Sequence, residues 1–377
     1  MSALVTGPQA RIVSLSLRDF RNFERLELEL PSTGMAIVGE NGQGKTNLLE
    51  AAYYFSLLRS VRGARDADVA RFGADGFFIE ASLCGPQPHE ISIGFERTSR
   101  RKRVRRDGAV VDRLSDALGT LPVVMFSPAD VEIVAGAANA RRRFLDIMLA
   151  LTSRGYLNSL QLYRAALERR NAALRDAGRN GARAAPAAVE VWELPLAEHG
   201  AALVRARRIW VKRVTDSFGE RCAAMGERGE VELRYDTAVE ANAESVELAL
   251  ANMLAAKRSS DLRYGITQVG PHRDDLMMRL DGHELRAFGS AGQQRTAAIA
   301  LRVLEAESLR VACGASPVFL FDDPFAELDA RRSSRVLSLL TEVGLGQTVL
   351  AVPRESDIPA ELTELPRFRV VAGTIAP

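Results

Sequence analysis

Gly39-Glu40-Asn41-Gly42-Gln43-Gly44-Lys45-Thr46 fills every fixed position of the pattern G-x-x-x-x-G-K-S/T, and residues 35–38 just before it read as a short buried strand. In such a loop, successive backbone N–H groups and a helix N-terminus converge on the β- and γ-phosphates of a nucleotide. The lysine adds a point charge and the threonine hydroxyl reaches Mg²⁺. Glycines are required because a Cβ would block the approach of the phosphates. With only four lysines in the chain, the pattern rarely arises by chance, and an ordinary Gly-rich turn is the weaker reading.

The distant half of the motif decides the class. Val318-Phe319-Leu320-Phe321-Asp322-Asp323 is an apolar run ending in two carboxylates, as in a buried parallel strand that delivers an Asp to Mg²⁺ beside a phosphate loop. The long separation of Asp322 from Lys45 exceeds a compact GTPase or kinase core, so a whole domain is inserted between them. Upstream lies Ser290-Ala291-Gly292-Gln293-Gln294-Arg295, opening an amphipathic helix, and downstream lies Ala326-Glu327-Leu328-Asp329. In this order the elements resemble the signature and D-loop of an ABC-type ATPase head. In that class the signature faces the γ-phosphate held by the other subunit, so the resemblance implies that the active site needs a dimer. Taken alone, Ser290 followed by Gly-Gln is equally a helix N-cap.

Further segments narrow the resemblance and spread it over nearly the whole chain: Leu17-Arg18-Asp19-Phe20-Arg21-Asn22-Phe23, Asn41 through Glu50, Phe126-Ser127-Pro128, Arg141-Arg142-Arg143-Phe144-Leu145-Asp146, Arg169-Arg170-Asn171, Gly270-Pro271-His272-Arg273-Asp274-Asp275-Leu276 and Gly292-Gln293-Gln294-Arg295. Together they resemble the bacterial RecF family of recombinational repair proteins. That resemblance implies an α/β ABC-type head, built of a P-loop mixed sheet with flanking antiparallel strands. A helical second lobe is inserted between Walker A and the signature. It also implies ATP and Mg²⁺ as cofactors, an ATP-dependent homodimer and slow hydrolysis. The implied partners are double-stranded and gapped DNA near single-strand junctions, with RecR and RecO, and RecA loaded indirectly, in repair and replication restart. SMC and Rad-type relatives carry long heptad-patterned arms; here no heptad repeat is sustained.

The residue roles follow position by position. Gly39, Glu40, Asn41, Gly42, Gln43, Gly44, Lys45 and Thr46 would hold the nucleotide, with Ser290, Gly292, Gln293 and Asp329 contributing across the dimer. Thr46 and Asp322 would hold Mg²⁺, and Lys45, Asp322 and Asp323 would carry the chemistry. Asp323 stands where the general base is usually Glu, one methylene longer, so slow turnover is expected. Arg62 in Ser60-Val61-Arg62 matches an arginine that leans over the nucleotide in related heads, and fits a plain surface arginine as well. At the usual switch-histidine position stands Pro353, with Arg354 next, an arginine that fits an exposed loop better than a γ-phosphate contact. Ser127-Pro128 occupies the expected Q-loop segment.

Composition supplies bounds. The chain has 377 residues and a net charge of +2, with 50 basic residues, so any DNA surface must be a local patch. The densest basic run, residues 100–106 followed by Asp107-Gly108, reads as a β-hairpin. Its Arg101, Arg103 and Arg105 are either solvated or in contact with a duplex backbone. Cys84, Cys222 and Cys313 show no metal or disulfide spacing, and no apolar run is long enough to span a bilayer. A cytoplasmic protein is expected.

Along the chain, strand-like runs at 13–17, 26–30, 35–38, 77–83 and 91–95 surround a P-loop helix at 46–58. Helical periodicity then covers 141–152, 156–175, 189–225 and 244–257, with a kink or break expected near Leu194 ahead of Pro195. The expected division is residues 1–130 and 263–377 as the ATPase lobe and 131–262 as the helical lobe. His272 beside Asp274 and Asp275 is poor metal geometry if the segment is a strand, so a structural role is favoured. Two rivals remain: the ATPase subunit of a transporter, which needs no such helical insert, and an overcoming-lysogenization-defect-type nuclease head, which needs a further acidic domain after Asp329.

Overall fold

The computed structural model describes residues 8–86, 89–180, 185–240, 245–325 and 330–376. The chain divides into two compact units. The first comprises Met1–Asp130, Ala223–Glu227 and Ala298–Pro377, and the second Val131–Cys222 and Arg228–Ala297. The second unit therefore runs on past residue 262, the expected end of the helical lobe, and takes in the start of the signature helix.

Two sheets build the first unit. Strands at Gly34–Val38, Thr348–Val352, Val318–Asp322 and Val123–Phe126 are parallel, in the order 123–126, 318–322, 348–352, 34–38, and Arg367–Val371 pairs parallel beyond Gly34–Val38 with a short hairpin return at Thr374–Ala376. The continuous apolar runs are explained by burial: nearly every residue of these four strands is out of solvent, as a parallel sheet covered on both faces requires. The second sheet is antiparallel, in the order Phe23–Glu29, Arg11–Phe20, Gly76–Cys84, His89–Glu96, Arg101–Arg106, Ala109–Val110. Its strands alternate in burial. One face carries Leu15, Leu17, Phe77, Ile79, Ile93, Phe95 and Val104 in the core and the other is mostly polar, with Phe78 exposed on it. The expected hairpin after Arg106 is present, with Asp107 and Gly108 both at positive φ (51° and 78°) in its turn.

The second unit has long helices at Ala138–Thr152, Arg154–Asn180, Glu193–Ala224 and Val246–Tyr264. The break expected near Leu194 in the 189–225 stretch falls at Val191-Trp192, and Pro195 sits in the first turn of Glu193–Ala224, where its missing N–H would have lacked an intrahelical partner anyway. A three-stranded antiparallel sheet, Val231–Asp236, Asp275–Leu280 and His283–Glu284, was not expected in a helical lobe. Gly270 to Asp274 form a turn ahead of its central strand, which corrects the reading of His272 as a strand residue.

Candidate nucleotide site

The P-loop leaves the carboxyl end of Gly34–Val38 and enters the helix Lys45–Leu57. The C-terminal edge of a parallel sheet is where open α/β folds place ligands. Gly42 and Gly44 take φ of 83° and 119°, a region closed to most side chains. A Cβ at Gly44 would lie 2.5 Å from Asn22 Nδ2 and one at Gly39 2.6 Å from the Val370 carbonyl oxygen. Two of the loop's glycines are therefore fixed by close approach of other chain segments.

Thr46 and Asp322 meet across 276 positions of sequence: the Thr46 hydroxyl donates to Asp322 Oδ1 at 2.9 Å. Lys45 Nζ donates to the carbonyl oxygens of Gly39 and Glu40, the latter at 2.9 Å. Burial pushes the Lys45 pKa down, against the opposing pull of Asp322 and Asp323. Burial pushes that of Asp322 up, offset by the Thr46 hydrogen bond and by Arg62. A cation and two carboxylates thus share one desolvated corner at the strand ends. Asp323 follows in the left-handed region (φ 48°), its N–H bonded to the Ala351 carbonyl at 2.9 Å. With Phe325, Pro353, Arg354 and Asp357 it lines a cleft of about 580 Å³. The donor set suits the groups the sequence implies. Thr46 and Asp322 are hard oxygen donors at the spacing of a direct hydrogen bond, as Mg²⁺ takes, and the glycine backbone with Lys45 suits a triphosphate.

Several residues outside the motif's fixed positions hold this corner. Glu50 is fully buried and accepts two bonds from Arg21, at 2.8 and 2.9 Å, and one from Ser60, with Arg62 Nε 3.9 Å away. Arg62 Nη1 also reaches Asn47 Oδ1 at 3.5 Å. Arg62 is therefore drawn into the site, although its side chain is 43% exposed. Asn22 donates to the Gln43 carbonyl at 3.0 Å and accepts from Asn47 at 2.8 Å. From the C-terminal hairpin, Ala372 N–H donates to Gln43 Oε1 at 2.6 Å and Gly373 N–H to the Gln43 carbonyl at 3.1 Å. The Asn22 contact had a signal in the Arg21-Asn22 turn beside the P-loop motif; a clamp 329 positions away had none.

The signature residues lie in the second unit. Ser290 accepts the Gln293 N–H at 3.3 Å and Gln293 Oε1 accepts the Ser290 N–H at 2.8 Å, a reciprocal cap at the start of Ala291–Cys313. Gly292 falls in that first turn. Asp329, with the rest of the expected D-loop, lies outside the described residues. Arg354 is exposed, its backbone N–H on Asp357 at 3.1 Å. Arg101, Arg103 and Arg105 share the exposed face of their strand, whereas Lys102 turns inward onto Asp66 at 2.7 Å.

His272 belongs to a buried network of the second unit. It bonds Tyr163 Oη at 2.6 Å and the Thr267 carbonyl at 3.1 Å, and burial pushes its pKa down to about 4. Arg207 bonds Asp146, Tyr156 and the Pro271 carbonyl, Arg170 bonds Asp261, Glu193 and Thr267 through its two terminal nitrogens while its Nε has no partner among the described residues, and Arg141 bonds both oxygens of Asp275. Both ring nitrogens of His272 are thus engaged within the network.

A P-loop strand, an Asp-terminated parallel strand one strand removed from it and an inserted helical segment define an ABC-type ATPase head. No family model matches the chain. Curated relatives do: it is 34% identical to the DNA replication and repair protein RecF of Roseiflexus castenholzii, covering 97% of this chain and 99% of that one. It is also 34% identical to RecF of Salinibacter ruber, covering 94% and 87%. Among solved structures, that of the recombination mediator protein RecF in the RecFOR pathway, in its RecF-ATP form, superposes with a TM-score of 0.88 at 27% identity over 98% of each chain. The Smc head domain of Pyrococcus furiosus superposes at 0.55 and 16% identity over 97% and 95%, a likeness of fold. The chain belongs to the RecF family of DNA replication and repair proteins. No helix among the described residues is long and apolar enough to cross a membrane.

Proposed function

We propose that the chain is an ATP-dependent DNA-binding homodimer of recombinational repair and replication restart, acting in the cytoplasm on duplex DNA near single-strand junctions and on gapped DNA. The observation that carries this reading is the Thr46–Asp322 contact beside Lys45, which joins both halves of a nucleotide site. Residues 39–46 bind the triphosphate of ATP, and Thr46 and Asp322 would hold Mg²⁺, which would supply charge neutralisation at the phosphate oxygens. Arg62 reports on the nucleotide through Asn47 and Glu50. Asp323 orients the attacking water, and its short side chain makes hydrolysis slow, a timer for release.

Ser290, Gly292 and Gln293 of one subunit, with Asp329, complete the site of the other, so closure on two ATP molecules forms the DNA-binding state. The helical unit distinguishes this from a transporter ATPase. RecR and RecO are the partners this reading assigns, with RecA loaded downstream, by analogy with the RecFOR setting of the solved structures. Lys45→Ala tests it: the variant should lose ATP-dependent retention of labelled duplex on filters, while wild type retains duplex in ATP and not in ADP. Equal retention by both proteins in ATP would sink the reading.

A further inference from the structure

The outer face of the antiparallel sheet carries a row of residues in cross-strand register. Arg103 lies opposite Gly94, Gly94 opposite Phe78, Phe78 opposite Arg18 and Arg18 opposite Arg25. Directly paired residues point to the same side of a sheet, and Arg103, Phe78, Arg18 and Arg25 are all exposed. Gly94 leaves room for the aromatic ring: a Cβ there would sit 3.6 Å from Phe78 Cδ2. Five strands at about 4.8 Å spacing make the row roughly 19 Å long. The next row toward the end of the sheet pairs Arg101 with Glu96 and Glu96 with Gly76.

At that end the loop leading into Gly76–Cys84 presents Phe72, fully exposed at 101%, between Arg71 and Gly73. This loop is tied to the sheet by the Arg71 N–H on the Asp19 carbonyl and the Arg97 N–H on the Asp75 carbonyl. Farther along the same face carboxylates predominate, with Glu90, Ser82, Ser14 and Glu29 in register and, one row nearer, Glu80 and Glu27 in the row that ends on Arg105. The face therefore gathers Arg103, Arg18 and Arg25 around Phe78 toward one end, with Glu96 in the next row and Phe72 in the adjoining loop, and is richer in carboxylates toward the other. Exposed phenylalanines set among arginines match the chemistry of an unpaired nucleic-acid strand. Arginines track phosphates, and aromatic rings stack bases that a duplex would keep hidden.

We propose that this row is a platform for the single-stranded arm of a DNA junction, with Phe78 and Phe72 stacking unpaired bases and Arg103, Arg18 and Arg25 holding the phosphates. The proposal rests on the DNA-binding reading above and adds to it a site that senses the unpaired strand. Arg18 and Arg25 lie four and three positions from Asn22, which grips the P-loop, so a strand on the row would lie next to the nucleotide-holding turn.

The test uses the full chain with ATP and Mg²⁺, a blunt duplex and the same duplex with a single-stranded tail carrying 2-aminopurine. Wild type should bind the tailed DNA more tightly than the blunt duplex and change the 2-aminopurine emission. Phe72→Ala/Phe78→Ala should weaken tailed binding about tenfold and abolish the emission change, leaving blunt-duplex affinity within twofold, as expected for losing one or two stacked bases. Phe72→Tyr/Phe78→Tyr, which keeps the rings, should retain both signals. Equal weakening on both DNAs, or no change on either, overturns the platform. Failure of wild type to bind any DNA in ATP would instead overturn the DNA-binding reading beneath it.

Discussion

Lys45 in the first unit and Arg207 in the second are both cations withdrawn from solvent, and their surroundings differ in kind. Arg207 is enclosed by side-chain and backbone acceptors from four segments, Asp146, Tyr156, Tyr235 and the Pro271 carbonyl. Its partner Asp274, pushed up by burial, is itself bonded by Tyr235. Lys45 is held by two carbonyls of its own loop, with Asp322 and Asp323 near enough to shift its pKa, at the open edge of a sheet. The first pattern leaves no acceptor to exchange. In the second, the loop carbonyls can be replaced by phosphate oxygens with no change of fold. Burial of charge alone therefore does not mark a functional site here; replaceable partners at a strand end do.

The sharpest way to break this contrast is Arg207→Met. If the second unit's charges are structural, removing one leaves Asp146 with only the more exposed Arg164 as its cation and the Pro271 carbonyl without its donor, and should cost about 3 kcal/mol, read as a fall in the urea midpoint; a loss under 1 kcal/mol would show the network to be dispensable. His272 offers a pH version of the same test. Its pKa of about 4 in the folded chain lies below the value near 6.5 of an unfolded histidine. Stability from this group is therefore fully present above pH 6.5 and is lost as pH falls toward 4, because the unfolded chain takes up the proton first. The loss should approach about 3 kcal/mol, and His272→Gln should flatten the wild-type slope over that window. Identical slopes would remove His272 from the network.

Smaller effects should separate holding the nucleotide from holding the fold. Gln43→Ala removes the side-chain acceptor of the Ala372 N–H and should weaken ATP binding several-fold, about 1 kcal/mol, in calorimetric titration with the melting temperature nearly unchanged. A drop in melting temperature with ATP affinity intact would make the C-terminal turn a structural brace. Smallest of all should be the effect of Lys45→Ala on stability: within about 1 kcal/mol in urea, since the lysine is desolvated at some cost in the folded chain. A large loss would place Lys45 with Arg207.

The sequence made the setting of Lys45 legible and that of Arg207 largely not. Glycine, lysine and threonine at fixed spacing, and an apolar run ending in Asp322-Asp323, announce their backbone and their chemistry at once, because phosphate approach tolerates few residue types. Arg170 and Arg207 sit mid-helix among many other arginines, and nothing local distinguishes a buried one from a solvated one. Their partners Asp261, Asp146 and Tyr235 lie up to 91 positions away. The strands Val231–Asp236 and Asp275–Leu280 were hidden for a similar reason: each is short and alternating and pairs with the other across nearly forty positions of chain. The register that aligns Arg103, Phe78, Arg18 and Arg25 spans five strands, and no single segment carries it.

The central claim is that Ser290 and its neighbours act on a nucleotide held by the other subunit, and Ser290→Asp tests it most directly. Because Ser290 caps its own helix through Gln293, a bulky substitution would confound loss of the cap with loss of the contact. Aspartate caps as well as serine does and sets a negative charge against the partner's phosphate. In sedimentation velocity with ATP and Mg²⁺, wild type should move from monomer to dimer. Ser290→Asp should bind ATP with unchanged affinity and remain monomeric. A Ser290→Asp chain that dimerises with ATP as wild type does would contradict the account.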